Sequence, residues 1–146
     1  MRFLKAFTVA AGLALSVPAF AAGPTATLYK SPQCGCCEEY AEYLRANGYE
    51  VTVVPTHDLS LIKRQHRVPE EFEGCHTTLV GGYAVEGHVP VGVLNRLLAE
   101  RPDVRGISLP GMTTGSPGMS GPKTGPFTIY TLPQDPAAEP AVYAVE

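Results

Sequence analysis

The chain has no tryptophan, and of its five phenylalanines only Phe72 and Phe127 lie beyond residue 21. Its core must therefore be built from aliphatic residues and tyrosine, which suits one modest domain. No apolar run approaches the roughly 20 residues that a membrane-crossing helix needs. Basic charge is not in excess either: 11 Lys and Arg stand against 14 Asp and Glu, a formal net charge of -3. That balance argues against nucleic acid as a partner. Phosphate-cradling glycine loops, a dinucleotide fingerprint and a Ser-His-Asp order are all missing, which sets aside nucleotide-dependent chemistry and serine hydrolysis.

What is present begins with an export pattern. Arg2 and Lys5 form a short basic stretch, Phe7 to Val17 is apolar, and Ala19-Phe20-Ala21 offers small residues where a signal peptidase reads. Residues 1–21 are expected to be a signal peptide, cleaved after Ala21. Losing two positive charges takes the net charge from -3 to about -5. The remaining chain is expected to form one domain, with 22–109 as its body and 110–146 as a loop, an edge strand and a tail of the same domain.

Ala26 to Tyr29 reads as a strand, Ser31-Pro32-Gln33 as a loop, and Cys36 to Ala46 as a helix stopped by Asn47-Gly48. Val51 to Val54 is a β-branched strand. Asp58 is placed to cap a helix over Leu59 to Arg67, which must end before Pro69. Thr77 to Val80 and Tyr83 to Val85, joined by Gly81-Gly82, read as a hairpin, and Pro90 opens a last helix through Glu100. The order is βαβαββα, an α/β sandwich of the thioredoxin/glutaredoxin type. From Leu109 the composition turns to Pro, Gly, Ser and Thr, so Pro110 to Pro126 is expected to be irregular. Phe127 to Leu132 reads as an extra strand at a sheet edge, and Pro133 to Glu146 as a loose tail.

Three of the four cysteines are packed into Cys34-Gly35-Cys36-Cys37, where strand gives way to helix. Thiolates at a helix N-terminus face unpaired N–H groups and the positive end of the dipole. Cys34 and Cys37 have the Cys-x-x-Cys spacing of dithiol redox sites, Cys34 attacking and Cys37 resolving. The fourth, Cys75, precedes the third strand, a segment that in such folds lies against the start of the cysteine-bearing helix. Thr77 and Thr78 stand where a proline is expected in that segment, which weighs against a general peptide-substrate groove. An exported protein with four cysteines also admits two structural disulfides, but three sulfurs within four residues close only small loops. Four converging thiolates would need protons or cations, and soft sulfur selects Cu(I) or zinc. Several Cu(I) ions sharing the sulfurs is the reading favoured over one tetrahedral zinc, since structural zinc uses spaced cysteine pairs.

Met112 and Met119 lie in a polar loop where thioethers have little core to fill, and they are candidate soft donors. Each also suits ordinary apolar cover. His76 and His88 are candidates for ligand, proton carrier or hydrogen-bond partner. His57 and His66 read as surface residues, as do Lys63, Arg64 and Arg67. Glu38, Glu39, Glu42 and Arg45 read as a solvated helix face.

Taken together, Tyr29-Lys30-Ser31-Pro32-x-Cys34-Gly35-Cys36-Cys37, Cys75-His76-Thr77, Val85-Glu86-Gly87-His88-Val89-Pro90 and Gly115-Ser116-Pro117-Gly118-Met119 give the chain a clear relative. It resembles the CopG family of periplasmic copper-resistance proteins, a domain of unknown function. The resemblance implies a thioredoxin-like fold, a periplasmic location and a part in copper handling or copper redox conversion. It carries over the cysteines and Met119; Met112-Thr113 departs from the Met-Pro of relatives. The leading expectation is a periplasmic protein holding Cu(I) on Cys34, Cys36, Cys37 and Cys75, passing copper to other copper-handling proteins or sequestering it. A thiol-disulfide oxidoreductase acting on protein substrates through Cys34 and Cys37 is the alternative, and an inert domain with structural disulfides the third.

Overall fold

In a computed structural model describing residues 22–146, the chain forms three α-helices and seven strands. The expected signal peptide lies outside the described residues. The elements run β1 (Thr25–Lys30), α1 (Gly35–Ala46), β2 (Glu50–Pro55), α2 (Leu59–Gln65), a 3-10 turn (Glu70–Phe72), β3 (His76–Val80), β4 (Tyr83–Glu86), α3 (Val91–Glu100), β5 (Val104–Ser108), β6 (Thr128–Pro133) and β7 (Val142–Val145). No described helix is long and apolar enough to cross a membrane.

The strands form one sheet in the order β2-β1-β3-β4-β5-β6-β7. The pair β1 and β2, linked through α1, is parallel, and so is β4 and β5, linked through α3; every other neighbouring pair is antiparallel. A helical crossover is what a parallel connection requires, whereas Gly81 and Gly82, both at positive φ, close the two-residue hairpin between β3 and β4. The expected βαβαββα order thus stands over β1 to α3, and its sheet order is compatible with a thioredoxin-like core.

The pleat of β3 divides the interior into two layers. His76 meets Tyr40 of α1 on one face, while Thr77 meets Lys63 of α2 on the other. On the first face α1 and α3 pack side by side, Val91 N–H donating to the Tyr43 hydroxyl at 2.9 Å and Tyr49 donating to Asn95 at 2.7 Å. Tyr40 and Leu44 of α1 and Leu94 and Leu97 of α3 are fully buried in one cluster with Leu28, Val85, Ile107 and Ile129. Aliphatic and tyrosine side chains supply most of this core, with Phe127 its one buried phenylalanine.

Several expectations need correction. Asp58 occupies the N-cap position of α2 but its side chain caps nothing. The helix ends at Gln65 because Arg67 turns left-handed (φ 50°) and Val68 N–H bonds back to Lys63 O at 3.0 Å. Lys63 is not a surface charge: it is 3% exposed, drawn inward by a buried acid. Beyond α3 the sheet gains three strands, not one. Strand β5, unread because Arg105 and Gly106 break any alternation, runs beside β4. The expected strand, β6, is not at an edge, because the supposedly loose tail forms β7 and covers it. Phe127 and Glu146 exchange both backbone hydrogen bonds, at 2.8 and 3.0 Å.

Deleting residues 141–146 should therefore expose the outer edge of β6, which stays paired with β5, and cost about 2 kcal/mol, a few backbone hydrogen bonds at roughly 0.5–1.5 kcal/mol each. A lower urea midpoint with an unchanged far-UV spectrum checks this. An unchanged midpoint would show that the tail strand adds nothing.

Candidate metal centre

The start of α1 presents three sulfurs because the chain leaves β1 in a tight turn. Cys34 N–H donates to Ser31 O at 3.0 Å, and Cys34, extended at φ -78° and ψ 99°, is the N-cap residue. Cys36 and Cys37 then fall in the first helical turn, beside N–H groups with no intrahelical acceptor. Cys37 is fully buried, while Cys34 and Cys36 are half-buried. Cys34 and Cys37 are joined as a disulfide, and Cys36 and Cys75 are free thiols.

Cys75 does reach this cluster. Its sulfur lies 3.5 Å from that of Cys37 and 4.0 Å from that of Cys36, and the Cys36 and Cys34 sulfurs are 3.5 Å apart. All four lie within 4.8 Å of one another, a spacing that could hold a metal ion. The approach requires glycine: a Cβ on Gly74 would sit 2.5 Å from Gly87 N, so any larger residue would push the Cys75 segment away.

Two histidines back the fourth sulfur. His76 Nδ1 and His88 Nε2 each lie 3.4 Å from Cys75 Sγ, and these three side chains form a second group with metal-ligand spacing. His88 Nδ1 is 2.6 Å from Pro117 O. A carbonyl cannot donate, so Nδ1 carries the hydrogen, and in the neutral ring the Nε2 lone pair is turned to Cys75. The rings of Tyr40, His76 and His88 pack as a triangle with centroids 4.9 to 5.1 Å apart, and Tyr40 donates to Val89 O at 2.8 Å. Burial holds both imidazoles below their ordinary range, His76 far below it. Burial, followed by the nearby Cys36 sulfur, pushes the Cys75 thiol up to about 12.

On the opposite face of β3 an ion pair fixes the same segment. The Glu86 carboxylate accepts from Gly74 N–H at 2.8 Å, from the Thr77 hydroxyl at 2.5 Å and from the Lys63 ammonium. Lys63 also donates to Thr77 Oγ1 at 3.1 Å and to His76 O at 3.4 Å. The pair therefore grips the backbone on both sides of Cys75. Burial raises the Glu86 carboxyl, against the lowering pull of Lys63.

The loop with the two methionines closes over the histidine side. Gly118 packs on α1 so closely that a Cβ would lie 2.6 Å from Tyr40 N, and its φ of 78° favours glycine independently. Met119 follows it, half-buried, whereas Met112 is 60% exposed. His57 is exposed and His66 only half-buried, and neither belongs to a ligand group; the α1 acids are exposed, with Glu38 reaching Lys30 at 2.7 Å. Sequence reading missed Lys63, Glu86 and Tyr40 as site supports.

A family model described as a protein of unknown function, DUF411, matches residues 72–119, which hold Cys75, both inner histidines and both loop methionines. A solved structure of the copper resistance protein CopG, Form 2, is 34% identical, with a TM-score of 0.77, covering 85% of this chain and 98% of that one. Form 1 of the same-named protein is 33% identical, with a TM-score of 0.75, covering 84% and 96%. No curated protein matches the chain.

Two outcomes follow from the geometry. Glu86→Ala should cost about 3–5 kcal/mol in urea unfolding, because it strands a buried ammonium. The double change Lys63→Met with Glu86→Leu should cost less than either single change with its partner retained; additive losses would show that the two groups are not coupled. In the metal-free, disulfide-bonded protein, the unfolded chain takes up protons on His76 and His88 below about pH 6.5 while the folded chain resists them. Stability should then be full above that pH and fall as pH drops through it. Glu86 contributes with opposite sign, so the check is the difference from His76→Gln, whose profile should be flatter; parallel profiles would refute the assignment.

Proposed function

The chain belongs to the family of the copper resistance protein CopG, and from that membership we propose that it binds Cu(I) on Cys34, Cys36, Cys37 and Cys75 in the periplasm. Met119, Met112, His76 and His88 are outer or exchangeable donors in this reading. The observation that carries it is the meeting of Cys75 with three sulfurs 38 to 41 residues away in sequence. A structural staple needs two sulfurs, and nothing in fold stability asks for four together. Thiolate, thioether and imidazole donors suit a soft cation such as Cu(I) better than a hard one.

Chemistry at the site couples metal to redox state. The Cys34–Cys37 disulfide must take up two electrons before both sulfurs can serve as thiolates, and reoxidation withdraws them again. Bound copper in turn shields the thiolates from oxidation. Each cuprous ion cancels one thiolate charge, so several ions can share bridging sulfurs without leaving a large buried charge. The protein would sequester copper as cargo or hand it to other copper-handling proteins, and a copper redox role fits the same sulfurs.

One feature favours a second reading, thiol-disulfide exchange with protein substrates: Cys34, half-buried at the N-cap, is the accessible half of the disulfide. The two separate in one experiment. Titrated anaerobically with Cu(I) against a chromogenic chelator, the reduced protein from residue 22 onward should bind copper. Cys36→Ser and Cys75→Ser should each lower stoichiometry or weaken binding at least tenfold, and the disulfide form should bind less. Undiminished copper binding in both variants, with insulin reduction dependent on Cys34 and Cys37 alone, would favour the second reading.

A further inference from the structure

Positive charge outside the sulfur site is distributed unevenly. Of the nine Lys and Arg residues from position 22 onward, Lys30, Arg45, Lys63 and Arg96 are in ion pairs. Arg101 and Lys123 lie over the rings of Tyr83 and Phe127, at 5.0 and 4.4 Å. The three that remain, Arg64, Arg67 and Arg105, have neither an acid nor a ring among the described residues, and all three line one cavity of about 380 Å³. Its walls are apolar, from Val68 and Pro69 after α2 and from Pro133 and Pro136 at the end of β6. No carboxylate lines it. Glu70 and Glu73 line an adjoining depression that shares Arg64 and Val68 with the cavity, and Asp135 is turned back onto Ala137 N–H at 2.9 Å.

Arg67 carries the inference furthest. It sits at φ 50°, in the left-handed position after a helix where glycine is the residue without steric cost. Arg101, the C-cap of α3, is the other non-glycine residue at positive φ among the described residues, φ 51°, and there the side chain is used within the fold: its guanidinium donates to Gly81 O at 2.6 Å and lies over Tyr83. Arg67 has no such internal use, since only its backbone is engaged, its carbonyl accepting from Arg105 at 3.0 Å. Arg105 is itself held by that carbonyl and by Gln134 O, so its guanidinium is fixed at the cavity before any ligand arrives. Burial and the Arg67 charge both work against the charge on Arg105, a penalty that an anion would relieve.

We propose that this cavity, which none of the four cysteines lines and which is built from α2, β5 and the β6–β7 turn, binds a small organic anion, a carboxylate or phosphate group on an apolar body. Guanidinium groups meet such heads through paired N–H donors, and the proline and valine walls take the body. The volume is at the small end of the range for small-molecule sites, roughly 300–1,000 Å³, and larger than a bare oxyanion needs.

Phenylacetate and phenyl phosphate serve as probes, with inorganic phosphate as the size control, followed by amide chemical shifts on the disulfide-bonded chain from residue 22. One or both aromatic probes should shift residues around Arg67 and Arg105 at millimolar concentration or below, and more strongly than inorganic phosphate; which one binds identifies the head group. Arg67→Gly should weaken binding at least tenfold while leaving the melting temperature equal or higher, because glycine suits the backbone there. Arg64→Gln should weaken it without altering the fold. Failure of both probes to bind, equal binding by Arg67→Gly, or binding of an acidic peptide in place of either probe would overturn the proposal. Copper stoichiometry should be unchanged in Arg67→Gly, so this test stands apart from the sulfur site.

Discussion

The site depends on a single register. Strand β1 ends at Lys30, and antiparallel β3 begins directly opposite it, at His76. The chain leaving β1 must turn into α1, and the residue entering β3 must arrive beside that turn. Cys75 is therefore delivered to the helix start by the sheet, not by any local preference of its own. A shift of one residue would turn His76 from the α1 face to the α2 face and carry Cys75 with it, since side chains alternate along a strand. The register is held from both faces: Leu28, Thr78 and Val85 line up on one, Tyr29, Thr77 and Glu86 on the other.

That second row explains an interior more polar than stability alone would select. His76, Thr77, Thr78, Glu86, His88 and Lys63 are all buried. Burying a lysine and a glutamate together brings little net stability, because desolvation cancels most of the attraction. The pair does something an aliphatic replacement could not: Glu86 accepts from Gly74 N–H while Lys63 donates to Thr77 Oγ1 and His76 O, fixing the backbone on either side of one sulfur. The network is not closed everywhere, since His76 Nε2 and Thr78 Oγ1 have no hydrogen-bond partner among the described residues. Both lie on the α1 face, so the unsatisfied polar groups gather on the side of the sulfurs and not on the side of the clamp.

Local signals made the first half of the fold legible. Gly81-Gly82, Asn47-Gly48 and Pro90 each mark a boundary through backbone conformation, and β1 to α3 match expectation to within one residue except at the end of α2. What escaped was set by tertiary context. Strand β5 has no pattern of its own and exists because β4 and β6 flank it, and β7 exists because Phe127 offers an unpaired backbone edge. Lys63 looked solvated because sequence shows the charge and not Glu86, 23 residues on. The sulfur quartet was legible from spacing and topology together, whereas its support was not, since Tyr40 and Glu86 are ordinary residues until the sheet brings them beside Cys75.

Electrostatics sets the conditions under which the quartet can change state. With Cys34 and Cys37 bonded and Cys75 held protonated by burial, those three sulfurs carry little charge, and a half-buried cluster in an acidic protein tolerates that form well. Adding two electrons frees two more sulfurs as thiolates in the same small volume, and the two buried lysines, Lys63 and Lys30, are already committed to Glu86 and Glu38. Separate thiolates cannot accumulate there, because each raises the cost of ionising the next. Reduction must therefore be accompanied by protons or by a soft cation, and the cation is favoured wherever it bonds sulfur more strongly than a proton does. If the quartet binds metal as proposed, uptake of electrons and uptake of metal would be one linked equilibrium, imposed by four sulfurs within 4.8 Å and not by any added regulatory element.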